Sequence, residues 1–350
     1  MKIKAYISKL HYEKILNSLD KIILFGLKII SIPYFIGSAL KNYLYKKNVL
    51  KTSDLGAYII SVGNLTTGGT GKTPLTAEIA NYLISKGDKV CIVSRGYKGK
   101  LNNKTPNIIS DGNEVFYNAQ MAGDEPYWLA KNCKGAVVVT CASRKQGILT
   151  AKEKFNCNKF ILDDGFQHQN VKRNLNLLII DWEKKFGNEL ILPAGPLREP
   201  ITEIYRADKI IVVNKKANQR GLKGYKKVLE KSLNKPVFIC NMKLEHPYDI
   251  QNNELYNYER VLAFCAIGQP EQFFNLLSAN VVAQKVYEDH HRYTEKDIEN
   301  LIEYAKKHNA TALITTEKDA VKIKNLDNAK NIKIYAAKLV PDINIEEVLS

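Results

Sequence analysis

Residues 68–73, Gly-Gly-Thr-Gly-Lys-Thr, put a lysine and a hydroxyl directly behind a run of glycines. That combination suits phosphate. Glycines let backbone N–H groups converge on phosphate oxygens, Lys72 reaches the β- and γ-phosphates, and the Thr73 hydroxyl holds Mg²⁺. The expected nucleotide-binding segment is Thr66, Thr67, Gly68, Gly69, Thr70, Gly71, Lys72 and Thr73. The usual pattern opens on glycine. Thr66 stands there instead, so Gly68, Gly69 and Gly71 must supply the freedom of the turn.

Such a loop needs a carboxylate at a neighbouring strand end to hold Mg²⁺, directly or through water. "KFILDDGFQHQ" (159–169) offers Asp163 and Asp164. If the strand continues through both, they point to opposite sides, one toward the metal and one toward the loop. Asp181, closing "LNLLIID", ranks second. "AGDEPYWLA" (122–130) sets Asp124 and Glu125 at a strand-to-helix boundary. Taken alone it reads as a helix cap with Pro126 in the first turn, and Glu125 is a further metal candidate. "PAGPLREP" (193–200) is a stiff loop carrying Arg198 and Glu199, and Arg198 is suited to clamp phosphoryl oxygens. "SRGYKG" (94–99) brings Arg95 and Tyr97 to another strand end. "YEDHHRYTEKDI" (287–298) sets His290 beside His291, with Asp289 placed to fix an imidazole. Thr294 and Asp297 in the same stretch read as a helix cap. "TTEKDAVK" (315–322) is another charged strand end.

Two other classes of phosphate-loop protein fit poorly. A GTPase carries N-K-x-D, and "NKKA" puts Ala217 where the guanine-reading Asp belongs. A partition-type ATPase opens K-G-G-x-G-K-T, and Thr67 replaces that lysine. Both departures favour ATP and phosphoryl transfer.

These residues need strands to carry them. "AYIISVG" before the loop is an apolar, β-branched run, and "LTAEIANYLISK" after it reads as a helix. Further strand-like runs follow at 89–95, 136–141, 159–164, 175–181, 209–214 and 236–242, with helical patterns at 120–132, 143–155 and 218–234. This alternation predicts a mostly parallel sheet with helices on both faces, and ligands at the carboxyl ends of its strands. The polar stretch 246–260 interrupts it, and the alternation resumes from 261. Six cysteines without a C-x-x-C pair suggest reduced, buried thiols rather than a disulfide frame or zinc site.

The net charge of +16 is concentrated at the start. Residues 1–51 hold ten lysines against Glu13 and Asp20, half of the excess. No nucleic-acid recognition motif accompanies this basic character. "IILFGLKIISIPYFIGSAL" (22–40) would make a helix of roughly 28 Å, nearly a hydrocarbon core in length. Lys28 interrupts it, and lysines flank both ends, so neither direction of crossing is favoured. Asn17, Lys21, Lys28, Ser31, Ser38, Asn42 and Lys46 form one polar stripe on an otherwise apolar wheel. The reading is a helix lying in an anionic membrane interface, bent at Pro33, with packing on the protein's own core as the alternative.

Seven segments in order, "SVGNLTTGGTGKTP", "SRGYKG", "GDEP", "LDDGFQH", "PAGPLREP", "DHHRYT" and "TTEKDAVK", resemble the tetraacyldisaccharide 4′-kinase (lipid A 4′-kinase) family. The resemblance implies a membrane-bound, Mg²⁺-dependent enzyme. It would move the γ-phosphate of ATP to the 4′-hydroxyl of a tetraacylated glucosamine disaccharide 1-phosphate. It also implies that Asp124 and His290, or His291 as fallback, act together as the base, beside Lys72 and Arg198. Asn64, Arg95, Tyr97, Gln167, His168 and His291 become candidate substrate contacts.

The expected architecture is α/β and P-loop NTPase-like. It comprises a membrane-associated helical segment (1–50), a kinase domain (51–245), a connection (246–260) and a smaller α/β domain (261–350). The expected setting is the cytoplasmic face of the inner membrane, held peripherally or monotopically, with a glycolipid as partner and no nucleic acid or protein partner implied. A membrane-attached ATPase switch acting on a protein is the alternative, and a nucleotide-binding scaffold is a third reading.

Overall fold

Two helices lead the chain, α1 (Lys2–Tyr12) and α2 (Ser18–Lys46). A reciprocal capping box between Asn17 and Asp20 starts α2. Asp20 also accepts from Tyr6 Oη and Lys9 Nζ, both at 2.7 Å, which fastens the two helices together. Leu10 is buried, and His11 Nε2 donates to the Pro193 carbonyl at 3.0 Å. The computed structural model describes every residue except 1, 14, 216–218, 258, 269, 278 and 290.

α2 runs unbroken through Pro33. Of its polar stripe, Ser31 and Asn42 are buried and Ser38 is half-buried, while Asn17, Lys21, Lys28 and Lys46 are exposed; on the apolar side Ile22, Phe25, Ile29, Ile30, Ile32, Phe35 and Ile36 are 47–68% exposed. This inverts the amphipathic arrangement of a soluble surface helix.

The phosphate-loop unit follows: β1 (Tyr58–Gly63), α3 (Lys72–Ser85), β2 (Val90–Ser94), β3 (Asn107–Asp111), α4 (Ala119–Ala122), α5 (Asp124–Asn132), β4 (Val137–Thr140), α6 (Arg144–Phe155), β5 (Lys159–Asp163), β6 (Leu175–Asp181), β7 (Lys209–Asn214), α7 (Leu222–Leu233) and β8 (Val237–Leu244). The strand order is β8-β7-β6-β1-β5-β2-β4-β3. β7-β6-β1-β5-β2-β4 are parallel, and β3 is an antiparallel edge. β2, β4 and β6 are buried along their whole length, as their Val- and Ile-rich sequences require of strands covered on both faces. The single helix expected over 120–132 is two, broken at Gly123. β3 went unseen in the sequence because "NIISD" is short and half polar.

A second compact unit comprises residues 215–219 and 241–342. It holds β9 (Tyr248–Asp249), β10 (Arg260–Cys265), α8 (Pro270–Leu276), β11 (Asn280–Val286), α9 (Glu295–Lys307), β12 (Ala312–Thr316), α10 (Glu317–Ile323), β13 (Lys333–Ala337) and β14 (Leu339–Asp342). Its sheet runs β11-β10-β12-β13-β9, parallel except for β9. The stretch 246–260, expected to be a connection, contributes β9 to this sheet. β14 pairs antiparallel with the far end of β8. The terminal helix α11 (Ile345–Leu349) belongs to the first unit, touching α3, rather than to the domain that precedes it in sequence.

Candidate active site

β1 ends at Gly63, and α3 begins at Lys72 behind Gly71, whose φ of +92° is the left-handed value glycine tolerates. Thr66 fits where glycine is usual because its backbone is used differently. It bridges to Leu197 in an antiparallel pairing, and Thr67 N–H donates to the Pro196 carbonyl at 2.8 Å. Arg198 N–H returns to the Leu65 carbonyl at 2.8 Å. The Pro-rich loop is thus hydrogen-bonded along the phosphate loop, and this fixes the base of the Arg198 side chain.

Asn64 was expected among the substrate contacts, yet it is fully buried. Its Oδ1 accepts from Lys72 Nζ at 3.1 Å, and its Nδ2 donates to Thr70 Oγ1 at 3.2 Å. It organises the loop from within. Gln167 Nε2 donates to the Asn64 carbonyl at 2.9 Å, and Gln167 Oε1 accepts from Arg198 at 3.3 Å.

The two aspartates part company because the strand stops. β5 ends at Asp163, and Asp164 turns away with φ +54°. Asp163 faces inward and accepts from Thr76 Oγ1 at 3.2 Å and Ser94 Oγ at 3.5 Å. Burial, then the negative charges of Glu125 and Asp164, raise its pKa to about 7 against the pull of Lys72 and Arg144. Asp164 sits between Lys72 Nζ at 3.5 Å and Arg198 Nη1 at 2.8 Å. Burial opposes its ionisation, but the Lys72 and Arg198 charges outweigh that and hold it below the usual carboxylate range.

Asp124 and Glu125 lie in the first turn of α5, and Gly123 is the cap. A Cβ at Gly123 would stand 2.7 Å from the Tyr97 carbonyl, and its φ is +94°. The G-D-E-P start is therefore packed against the S-R-G-Y-K-G turn. Arg95 and Tyr97 themselves are exposed. His168 is half-buried, and burial followed by the Arg144 and Lys41 charges pushes its pKa down to about 3. Thr73 is buried. The rival Asp181 is a turn cap, since its Oδ1 accepts from the backbone N–H of Glu183 at 3.0 Å and Lys184 at 3.2 Å. Glu199 is 2% exposed and ion-pairs with Arg206. In the second unit His291 Nε2 meets Asp297 Oδ2 at 3.1 Å. His290 lies outside the described residues.

Two contributors were not foreseen. Arg144 is 1% exposed and donates to the Cys141 carbonyl at 2.6 Å and the Asp163 carbonyl at 3.4 Å. Its only sequence signal is a basic residue in a helix's first turn, where the dipole disfavours one. Lys41 of α2 donates to the Gln167 carbonyl at 2.9 Å. It ties the apolar helix to the Asp-Asp-Gly-Phe-Gln loop.

A phosphate loop, two differently poised carboxylates and a braced arginine describe a phosphoryl-transfer site, and the comparisons agree with that. The model of the tetraacyldisaccharide-1-P 4′-kinase family matches residues 23–349. The chain is 37% identical over 306 residues to tetraacyldisaccharide 4′-kinase of Desulfotalea psychrophila, covering 85% of this chain and 87% of that protein. It is 37% identical over 325 residues to the enzyme of the same name from Geobacter metallireducens, covering 92% and 94%. The crystal structure of LpxK from Aquifex aeolicus in complex with ATP superposes with a TM-score of 0.73 at 30% identity, covering 93% of this chain and 97% of that one. Matched nearly end to end in sequence and fold, the chain belongs to the tetraacyldisaccharide-1-P 4′-kinase family and is a kinase.

Proposed function

We propose that this kinase moves the γ-phosphate of ATP to the 4′-hydroxyl of a tetraacylated glucosamine disaccharide 1-phosphate at the cytoplasmic face of the inner membrane. The observation that carries the reading is the Lys41–Gln167 hydrogen bond. It couples a helix whose apolar face is turned outward to the loop holding Asp163 and Asp164. An acceptor with four acyl chains stays in the bilayer, so the phosphate loop must come to it.

Lys72 and Arg198 are poised to neutralise phosphate charge, and both rest on Asp164. The acceptor oxygen bonds to the γ-phosphorus, the bond to the β-phosphate oxygen breaks, and the hydroxyl proton passes to Asp124. In this reading His290 orients Asp124. Among the described residues no cluster of three or more His, Cys, Asp or Glu is arranged to hold a metal alone. That suits Mg²⁺, which keeps waters and phosphate oxygens and takes few protein ligands. The donor set fits too: Asp163, raised by burial and then by the Glu125 and Asp164 charges, would be relieved by a cation, and Thr73, Asp164 and Glu125 complete the candidates. Mg²⁺ would supply charge neutralisation at the bridging phosphates.

The test is transfer of label from γ-labelled ATP to purified disaccharide monophosphate in mixed micelles. Label in the glycolipid is expected. Hydrolysis at the same rate without acceptor would instead indicate an ATPase switch.

A further inference from the structure

The T-T-E-K-D-A-V-K segment has no part in the reading above, yet it contains an aspartate with no exposed surface. Asp319 Oδ2 accepts from the backbone N–H of Ala266 at 2.9 Å and from Thr316 Oγ1 at 2.9 Å. Its Oδ1 accepts from Lys322 Nζ at 3.2 Å. Ala266 directly follows β10, fifty-three residues away in sequence.

The place matters. β10 leads through α8 to β11 on one side, and the chain then crosses back through α9 to β12 on the other. The crevice at the carboxyl ends of β10 and β12 is thus the switch point of a parallel sheet, where ligands of such sheets usually bind. Here the Asp319 carboxylate bonds to both strand ends, Ala266 after β10 and Thr316 at the end of β12.

Just past that strand end lies the loop with the adjacent histidines. A Cβ added at Gly268 would stand 3.4 Å from Asp289 Oδ2, so Asp289 packs directly on the chain leaving β10. Tyr287 N–H donates to the Cys265 carbonyl at 2.9 Å. Tyr293 sets its ring 5.7 Å from Phe264 of β10. His291 is held between Tyr287 at 4.7 Å and Tyr293 at 5.0 Å. The described residues on both sides of His290 are therefore anchored to the end of β10, and Asp319 fixes that end.

We propose that Asp319 is a positioning residue, locking the end of β10 beneath the Asp289–His291 loop so that the loop is held for catalysis. The inference rests on the reading that His290 serves the base. Asp319 touches no reacting atom. A buried carboxylate bonded to a distant backbone N–H and a lysine fixes geometry, because loss of either partner leaves the other unpaired.

The test uses the full chain in detergent with Asp319→Asn, which keeps size and one acceptor. Amide hydrogen exchange over 287–293 is expected to speed at least tenfold, with α3 unchanged. kcat with the glycolipid acceptor is expected to fall tenfold or more while KM for ATP stays within twofold. In a His290→Ala background the same substitution is expected to lower kcat less than twofold further. Unchanged exchange over 287–293, or a full kcat loss persisting without His290, overturns the proposal. If His290→Ala alone leaves kcat intact, the base reading fails, and the exchange measurement still decides whether Asp319 braces the loop. If Asp319→Asn does not fold, Thr316→Ala removes one of the bonds. It is expected to loosen the same segment about threefold, and no loosening there would equally overturn the brace.

Discussion

One guanidinium nitrogen of Arg198 donates to both oxygens of Asp164, at 3.0 and 2.8 Å. The arginine is thereby aimed across the mouth of the phosphate loop, with a second nitrogen group left for other partners. Arg198→Ala is expected to lower kcat about 10²–10³-fold, the cost of removing one electrostatic stabiliser from a phosphoryl transition state. Arg198→Lys should recover only part, since an ammonium cannot span carboxylate and phosphate in a plane. Steady-state phosphoryl transfer checks both, and full rescue by lysine would mean that charge alone matters.

Lys72 sits 3.1 Å from Asn64 Oδ1 and 3.5 Å from Asp164 Oδ1, held ready by two acceptors. Lys72→Ala is expected to cost about 10²-fold or more in kcat/KM. Activity within about threefold of wild type would remove this loop as the ATP site.

The outward face of α2 is open to a designed test. Phe25, Ile29 and Ile36 are 67%, 55% and 56% exposed, so glutamates there sacrifice no core packing. The triple substitution is expected to move most of the protein from the membrane pellet to the supernatant, with Tm in detergent changed by less than a few degrees. High salt alone should release little of the wild type, because apolar burial is not screened. Retention of the triple variant in the pellet would refute the interfacial helix.

His168 makes the stability pH-dependent. Its folded pKa of about 3 lies below the ordinary 6.5, so between those values the unfolded chain binds a proton that the folded one refuses. Its contribution to stability therefore falls as pH drops from about 6.5 toward 3, at most about 1.4 kcal/mol per pH unit. Asp163, raised to about 7, works in the opposite sense, so the comparison must be variant against wild type at each pH. His168→Gln is expected to gain about 2 kcal/mol on wild type between pH 6.5 and 5 in denaturant unfolding. Parallel curves would mean that this imidazole is solvated.

The proposed base predicts a non-additive cycle. Asp124→Ala and His290→Ala should each lower kcat about 10²–10⁴-fold, with the double variant little worse than the worse single one. His291→Ala should cost less, because its imidazole is already spent on Asp297 at 3.1 Å. Multiplicative losses would assign Asp124 and His290 to separate roles.

The amino-acid sequence determined whatever depends on local pattern. Short Val- and Ile-rich runs can only be strands covered on both faces, so the parallel sheet and the position of Lys72 after β1 followed from them. The polar stripe of α2 was legible as well, since period and residue type suffice to draw it. Which of its residues turn inward was decided by packing: Ser31 and Asn42 are buried, the stripe's lysines stay exposed, and the apolar side is left outside. The strand stop after Asp163 sends one aspartate to Thr76 and Ser94 and the other to Lys72 and Arg198, contacts that join residues 34 to 92 positions apart. Asn64 turns inward to Lys72 and Asp181 caps its own turn, and local sequence does not say which way a polar side chain turns. Arg144 showed only as a basic residue in a helix's first turn, and Asp319 only as part of a charged strand end. Their burial is tolerable because local partners are joined by distant ones, the Asp163 carbonyl for Arg144 and the Ala266 N–H for Asp319, which chain folding brings to them.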